Sequence, residues 1–155
     1  MIPEHPFWIG GKWRKSAEKV EVFNPYNNQP IGVTYSASAE DVETALASAT
    51  QAFQEMRRMP AFRRGEILHQ ISEGLKSRRE EVARTMTLES GKPIADARNE
   101  VNRAVSTFQI ASEEAKRIEG ELLPLDLMPG SEGRVGITRR FPIGPILGIS
   151  PFNFP

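Results

Sequence analysis

Before Ser38, apolar and polar residues alternate in short runs, which is typical of β-strands. In the stretch "FWIGGKW", Gly10 and Gly11 separate two runs rich in aromatic residues, which predicts a hairpin with its turn at the glycines. Farther along, apolar residues recur at a period of two on both sides of an Asn- and Pro-rich segment, residues 24–30. We therefore expect this part of the chain to form short β-hairpins.

From Ser38 onward the apolar residues recur every three or four positions, which predicts three helices. Ser38 and Asp41 have the spacing of a capping box, with Asp in place of the usual Glu or Gln, and they predict the start of the first helix. We expect the apolar stripe of this helix to face the core. The stripe consists of Val42, Leu46, Ala49, Phe53 and Met56.

The second and third predicted helices are bounded by proline and glycine. Pro60 suits the first turn of the second helix, and Gly91 can end it in a left-handed conformation. The third helix is expected to begin at Pro93 and to continue until Gly120. Both helices carry apolar stripes that should pack into the core. The stripes include Leu68, Ile71, Leu75, Val82 and Met86 in the second helix, and Ala97, Val101, Val105, Phe108, Ala111, Ala115 and Ile118 in the third.

After Gly120 the pattern returns to strict alternation on both sides of the turn "MPGSEG", residues 128–133. Residues 121–142 are therefore predicted to form a hairpin with arms of about seven to eight residues and one apolar face. Because a two-stranded hairpin is marginally stable in water, it should lie on a partner subunit or on another part of the protein.

The run "GPILGIS", residues 144–150, is continuously apolar, as is typical of a strand buried on both faces of a parallel sheet. Such a strand needs neighbours that no other segment of the sequence supplies. We therefore expect the chain to be truncated shortly after its first parallel strand, and the fold class to be α/β.

Composition excludes several classes of function. Twenty basic residues balance twenty acidic ones, so no net field favours nucleic acid or an anionic membrane as a partner. The sequence contains no cysteine and only two histidines, so neither a disulfide, a thiolate zinc site nor a histidine metal site is expected. No apolar run approaches the roughly 20 residues that span a bilayer. The expected location is cytoplasmic.

Few polar residues suggest chemistry by themselves. His69 lies off the apolar stripe and is expected at the surface, whereas Lys92 is interpreted as a charge at a helix terminus. Glu89 and Glu100 fall on charged helix faces and are assigned no role. For Asn153, between two aromatics and two prolines, the residue alone favours an amide that satisfies the backbone of a turn.

Several segments, taken in order, carry a family resemblance. They are "FNPYNNQPIG", "SASAEDVETALASATQAF", "LESGKPIADARNEV", "GELLP" and "RRFPIGPILGISPFNFP". Together, from about Phe7 to Pro155, they resemble the N-terminal third of an NAD(P)-dependent aldehyde dehydrogenase. The closing pattern of proline, aromatic, asparagine, aromatic and proline is distinctive, whereas "LESGKP" alone would be weak.

The resemblance implies a mechanism and a role for Asn153. In the family, a cysteine attacks the aldehyde, hydride passes to the nicotinamide, and a glutamate activates the water that hydrolyses the thioester. The family's side-chain donor to the oxyanion is the Asn of this motif, which falls on Asn153. An amide suits the task because its NH₂ group donates without bringing a competing charge. The nucleophilic cysteine is absent here, so the resemblance implies that these residues alone are inactive.

The resemblance also implies that Ile149, Ser150, Pro151 and Phe152 contact the cofactor, NAD or NADP, through backbone and apolar surface. The glycine fingerprint G-x-G-x-x-G is missing, and nothing in the sequence chooses between the two cofactors or identifies the aldehyde. A strand that ends at a crevice agrees with the general rule for ligands in parallel sheets.

We divide the chain into the N-terminal part of a cofactor-binding domain (1–120), a bridging hairpin (121–142) and the first strand of the dinucleotide-binding sheet (143–155). By the same resemblance the partner is a second copy, in a dimer or tetramer formed through the hairpin. The alternative function is a non-catalytic helical or oligomerisation module derived from a dehydrogenase N-terminus.

Overall fold

The computed structural model describes residues 2–151 and 153–154, and within them the chain is α/β, as the sequence predicts. Its strands form three antiparallel pairs. Strands β1 (Phe7–Ile9) and β2 (Lys12–Arg14) form the first pair, β3 (Lys19–Phe23) and β4 (Pro30–Tyr35) the second, and β5 (Leu122–Pro124) and β6 (Val135–Ile137) the third.

Four helices lie between the second and third strand pairs in the described residues. They are α1 (Ala39–Met56), α2 (Ala61–Ser77), α3 (Arg79–Ser90) and α4 (Ile94–Glu114). The core of the described chain lies where α3 packs on α4, and it consists of Ala83, Met86, Ala97 and Val101.

The predicted turn at Gly10 and Gly11 is confirmed. Both glycines have positive φ, 56° and 81°, which is the conformation that a two-residue hairpin turn requires. Across the pair, the rings of Trp8 and Trp13 meet edge to face with centroids 4.8 Å apart, an arrangement that aromatic pairs prefer.

The capping box at the start of α1 is also confirmed. The Ser38 hydroxyl accepts a hydrogen bond from the Asp41 N–H at 3.1 Å, and the Ser38 N–H donates to the Asp41 carboxylate at 3.0 Å. Hydrogen bonds from the Ser38 side chain and backbone lower the pKa of Asp41, since they stabilise its charged form.

The predicted orientation of the α1 stripe is wrong for this chain. Val42, Leu46 and Met56 are exposed, and α1 contains no buried residue. Ser48 of α1 instead lies against Gly10, in the turn that follows β1. Helical periodicity identifies an apolar stripe, but it does not say which part of a protein covers it.

The second predicted helix is two helices. At Arg78 the backbone leaves the helical region (φ −103°, ψ 17°), so α2 ends at Ser77 and α3 starts at Arg79. The break lets both segments pack against α4, with the Ser72 hydroxyl of α2 donating to the Val105 carbonyl at 2.9 Å. Neither proline nor glycine marks this break, and the apolar spacing continues across it. Gly91 nevertheless ends α3 in the predicted left-handed conformation, with φ 71°.

The third predicted helix is shorter than expected. It ends at Glu114 rather than near Gly120, because the N–H groups of Lys116 and Arg117 bond to carbonyls three residues back and tighten the chain into turns. Ile118 is consequently exposed rather than buried.

Helices α2 and α4 approach closely at Gly65. A Cβ atom at this position would lie 2.8 Å from the Ser112 carbonyl oxygen, so only glycine fits without a shift of backbone. Beside it, the Arg64 guanidinium donates to the carbonyls of Met59 and Ala115, at 2.6 and 3.3 Å. The Arg64 guanidinium thus connects the segment before α2 to the end of α4.

The predicted hairpin within 121–142 is present, but its paired arms have three residues each instead of the expected length. Leu122 pairs with Ile137 and Pro124 with Val135. Hydrogen bonds from the Leu125 N–H to the Arg134 carbonyl and from the Thr138 N–H to the Glu121 carbonyl extend the ladder by one pair at each end. Beyond Leu125 the chain enters a turn closed by the Ser131 N–H and the Met128 carbonyl, so the ladder stays short.

The prediction of a single apolar face on this hairpin is wrong, because Val135 and Ile137 share a face with Leu122, whereas Leu123 and Leu125 lie on the opposite face beside Gly136. Ile137 is 82% exposed, so its face has no cover in the described chain.

The run 144–150 does not form a strand in this chain. Ile146, Leu147 and Ile149 are 80%, 84% and 85% exposed instead of buried. A strand is made by hydrogen bonds to a neighbour, and none of the described residues offers one beside this run. Its place as the first strand of a parallel sheet stays a prediction.

Candidate functional site

Asn153 lies in a turn near the end of the described chain. The turn is closed by a hydrogen bond from the Phe154 N–H to the Pro151 carbonyl, 3.4 Å long. Among the described residues, the Asn153 side-chain amide has no hydrogen-bond partner, and the residue is exposed. The hydrogen bond that closes the turn therefore does not involve the Asn153 side chain, whose amide group remains available to a ligand.

The backbone of Asn153 is tied to the helical part of the chain by Lys92. The Lys92 Nζ donates to the Asn153 carbonyl oxygen at 3.1 Å and forms an ion pair with Glu100 of α4. The side chains of Lys92 and Glu100 are only 18% and 17% exposed. Water screens this pair less than it screens a pair at the open surface.

Phe154 lies among the same cations. Its ring centroid is 5.0 Å from the Lys92 Nζ and 5.8 Å from the Arg103 guanidinium carbon, both within the range of a cation–π interaction. The C-terminal tail, which includes Asn153 and Phe154, is thus held by a hydrogen bond from Lys92 and by two cations, Lys92 before α4 and Arg103 on α4, beside the Phe154 ring.

These residues surround an open cleft of about 400 Å³ between α4 and the tail. Six of the seven lining residues have polar or charged side chains, and α4 contributes four of the seven. The lining residues are Lys92, Asp96, Asn99, Glu100, Arg103, Asn153 and Phe154.

The structure does not test the four predicted cofactor contacts. Ile149, Ser150 and Pro151 lie in an exposed, unpaired stretch of backbone that leads to Asn153. Phe152 lies outside the described residues. The predicted cofactor contacts lie near Asn153 because they directly precede it in the sequence, and the fold of the described residues adds no further contact between them.

The remaining polar residues behave as surface groups. His69 and Glu89 are exposed. Within residues 2–151 and 153–154, no three His, Cys, Asp or Glu side chains cluster closely enough to hold a metal ion. In the same part of the chain, no helix combines the length and the apolar composition needed to cross a membrane.

Sequence reasoning missed the contact of Lys92 with Glu100 and Asn153. The interpretation of Lys92 as a charge at a helix terminus describes its position after Gly91 but not its partners. Glu100 lies on a polar face of α4, so its approach to Lys92 could have been suspected from the helix period. The contact with Asn153 joins residues 61 positions apart, and no local pattern announces it.

Comparison with known proteins gives one consistent result. The profile described as "Aldehyde dehydrogenase family" matches residues 13–155. A 3-sulfolactaldehyde dehydrogenase from Priestia aryabhattai is 40% identical over 155 residues, which are all of this chain and 32% of the relative. The chain thus spans about a third of the length of the curated relatives that it matches.

Solved structures agree. The crystal structure of aldehyde dehydrogenase 21 from Physcomitrella patens, in complex with the reaction product succinate, superimposes with a TM-score of 0.95 at 39% identity. The match covers all of this chain and 32% of that one. Betaine aldehyde dehydrogenase from Staphylococcus aureus in complex with NAD⁺ matches 79% of this chain and 25% of its own, with a TM-score of 0.73 at 28% identity.

Proposed function

Since the chain belongs to the aldehyde dehydrogenase family, we propose that the full-length protein that carries it oxidises an aldehyde to a carboxylic acid with NAD or NADP. The proposal depends above all on Asn153. Its amide is exposed on a turn whose backbone is otherwise bonded, and it has no partner among the described residues. A neutral N–H donor that is free to bond a ligand suits an oxyanion hole.

Asn153 would act when a nucleophile adds to the aldehyde carbon. The carbonyl oxygen then gains negative charge, and the Asn153 Nδ2–H group donates a hydrogen bond to it. An amide donor stabilises this charge without transferring a proton. Because the amide is neutral, it binds the charged oxygen of the transition state more strongly than the neutral carbonyl oxygen of the substrate. The thiol that adds to the aldehyde must come from another part of the protein, because these 155 residues contain no cysteine.

The stretch before Asn153 fits a contact with the dinucleotide. Ile149 offers an exposed apolar side chain, and the backbone of Ser150 and Pro151 is not paired in a sheet. Apolar surface together with free backbone groups is what a nicotinamide or adenine ring contacts in many pockets. When bound, NAD or NADP supplies the hydride acceptor.

The full-length protein should reduce NAD⁺ or NADP⁺ when it is given an aldehyde, whereas residues 1–155 alone should not. We expect absorbance at 340 nm to rise only with the full-length protein. The aldehyde panel should include compounds with sulfonate, carboxylate and quaternary ammonium groups, since the relatives' names include 3-sulfolactaldehyde and betaine aldehyde and one structure holds succinate.

Two results would overturn the proposal. If the full-length protein reduces neither cofactor with any aldehyde in the panel, it is not a dehydrogenase of these substrates. If the protein in the cell ends at Pro155, as intact-mass spectrometry would show, the alternative applies. The chain would then be a non-catalytic helical or oligomerisation module.

We also propose that the β5–β6 hairpin joins two copies of the full-length protein in a dimer or tetramer. Ile137 supports this because it is 82% exposed on an apolar hairpin face. Replacing it with Asp should weaken assembly at least about tenfold, because a buried carboxylate without a partner is costly in an apolar contact. Light scattering across a dilution series measures the change in mass.

The matched control for Ile137→Asp is Gln109→Asp, which adds the same charge at an exposed position of α4. Circular dichroism should show intact helices in both variants. An Ile137→Asp protein with unchanged mass at every concentration would show that the hairpin does not hold the copies together.

The cytoplasmic location stays a prediction, which imaging of the tagged full-length protein would test.

A further inference from the structure

Lys92 occupies a rigid position in the chain. It follows Gly91, whose left-handed conformation ends α3, and it precedes Pro93, where α4 begins. Its N–H group donates to the Ser90 hydroxyl at 3.3 Å. Because Gly91 adopts a cap geometry and proline fixes its own φ, the backbone on both sides of Lys92 has little freedom.

The Lys92 ammonium uses its donors on two different elements. It forms an ion pair with Glu100 on α4 and donates to the carbonyl oxygen of Asn153 on the tail. Among the ion pairs in the described part of the chain, this is the one in which both side chains are less than one-fifth exposed. Such a pair holds its geometry better than the exposed pairs elsewhere on the surface.

The bond to the Asn153 carbonyl acts on the residue that carries the proposed oxyanion donor. Fixing this peptide group fixes the Cα from which the amide side chain extends. The cation–π contact with Phe154 restrains the next residue as well. An oxyanion donor works only within about 2.7–3.1 Å of the developing charge, so the placement of this backbone matters for rate.

We propose that Lys92, held by Glu100, is a positioning residue that sets the Asn153 amide in place for the reaction. The proposal rests on the function proposed above for Asn153. Lys92 does not touch the substrate. It connects the α3–α4 junction to the tail, so that the position of the donor is determined by the helices rather than by the turn alone.

The test uses the full-length enzyme and the variants Lys92→Met, Lys92→Arg and Glu100→Gln. Lys92→Met should lower kcat by about 10- to 100-fold with little change in the KM for aldehyde, because a displacement near 1 Å costs up to about 10²-fold in rate. Lys92→Arg keeps the charge and the donors and should recover most of kcat. Glu100→Gln should lower kcat less than Lys92→Met, because Lys92 keeps its bond to Asn153.

Lys76→Met is the matched control. Lys76 forms an ion pair with Glu73 in which both side chains are more than half exposed, and it lies on α2 away from the tail. We expect its kcat to stay within about twofold of the wild type, as is usual for a surface pair.

A double variant separates positioning from a merely structural role. If Lys92 acts through Asn153, adding Lys92→Met to Asn153→Ala should lower kcat no further, because the donor is already gone. If the two losses multiply, Lys92 acts through something other than Asn153 and the inference is wrong. If Lys92→Met does not fold, the comparison of Asn153→Ala with Glu100→Gln/Asn153→Ala replaces it: a further loss of kcat in the double variant would again overturn the inference.

Failure of this inference is distinguishable from failure of the proposed function. An Asn153→Ala enzyme with normal kcat would overturn the oxyanion role itself and, with it, the role of Lys92. A slow Asn153→Ala enzyme beside a Lys92→Met enzyme of normal kcat would leave the function intact and overturn only the positioning role.

Discussion

Replacing Asn153 with Ala in the full-length protein should lower kcat for aldehyde oxidation by about 10²–10³-fold, the usual effect of losing one oxyanion donor. The KM for the aldehyde should change little, because the carbonyl oxygen of the bound substrate carries less charge than the oxyanion. Steady-state and burst-phase kinetics, with NADH absorbance as the signal, measure both quantities.

The matched control for Asn153→Ala is Asn99→Ala. Asn99 lines the same cleft from α4, so it tests whether any amide lost from this surface slows the enzyme. We expect the Asn99 variant to keep kcat within about twofold, as is typical of a surface substitution. An Asn153→Ala enzyme that turns over as fast as the wild type would rule out the oxyanion role.

The two interpretations of Asn153 also differ in stability. If its amide stabilises the turn, Asn153→Ala should lower the melting temperature, whereas loss of an oxyanion donor should leave it unchanged. The described structure favours the second result, because the turn bond joins Phe154 to Pro151 and does not include the amide. Differential scanning fluorimetry of the free enzyme distinguishes the two.

Gly65→Ala should destabilise the packing of α2 against α4 by about 1–3 kcal/mol, the usual cost of overpacking. The new methyl group would lie 2.8 Å from the Ser112 carbonyl oxygen, which is backbone and cannot rotate away. The helices must therefore separate, and the bond from Ser72 to the Val105 carbonyl would be strained with them.

Gly74→Ala on the same helix is the control for Gly65→Ala. No atom outside its own helix backbone lies within 4 Å of a Cβ at that position, so the change should stabilise the helix by about 0.5–1 kcal/mol. Hydrogen exchange of the α2 and α4 amides in the full-length protein measures both effects locally, because a large enzyme need not unfold in two states. Equal protection in the two variants would show that the close approach at Gly65 is not tight.

The features that sequence predicted well are local ones. The capping box depends on Ser38 and Asp41, three residues apart, and the turn at Gly10 and Gly11 depends on two adjacent glycines. Each of these features is determined by residues within three positions of one another, so the local sequence is enough to predict it. The left-handed cap at Gly91 belongs to the same class.

The features that sequence missed depend on distant parts of the chain. The break at Arg78 arises because α2 and α3 each pack on α4, and no residue at the break demands it. The exposure of the α1 stripe could not be predicted, since the helical period does not show whether another element packs on it, and none of the described residues buries it. The paired length of the β5–β6 hairpin was overestimated because alternation continues beyond the hydrogen-bonded residues.

The residues of the candidate site also differ in whether the sequence could identify them. Asn153 was identified only through the resemblance of its motif, because the residue alone favoured a structural role. Lys92 and Glu100 both lie in the segment "LESGKPIADARNEV" that carries the resemblance, but nothing in that segment predicted a contact with the tail. Gly91 and Pro93 place Lys92 between two helices, where its ammonium contacts both Glu100 and the Asn153 carbonyl.

The exposed stripe of α1 has a consequence during synthesis on the ribosome. The contacts among α2, α3 and α4 lie within residues 61–114, so this cluster can close as soon as those residues have emerged. The stripe that contains Val42 and Leu46 emerges earlier but finds no cover in the described chain. A nascent chain would therefore expose the apolar stripe of α1 at a stage when α2, α3 and α4 are already able to pack on one another.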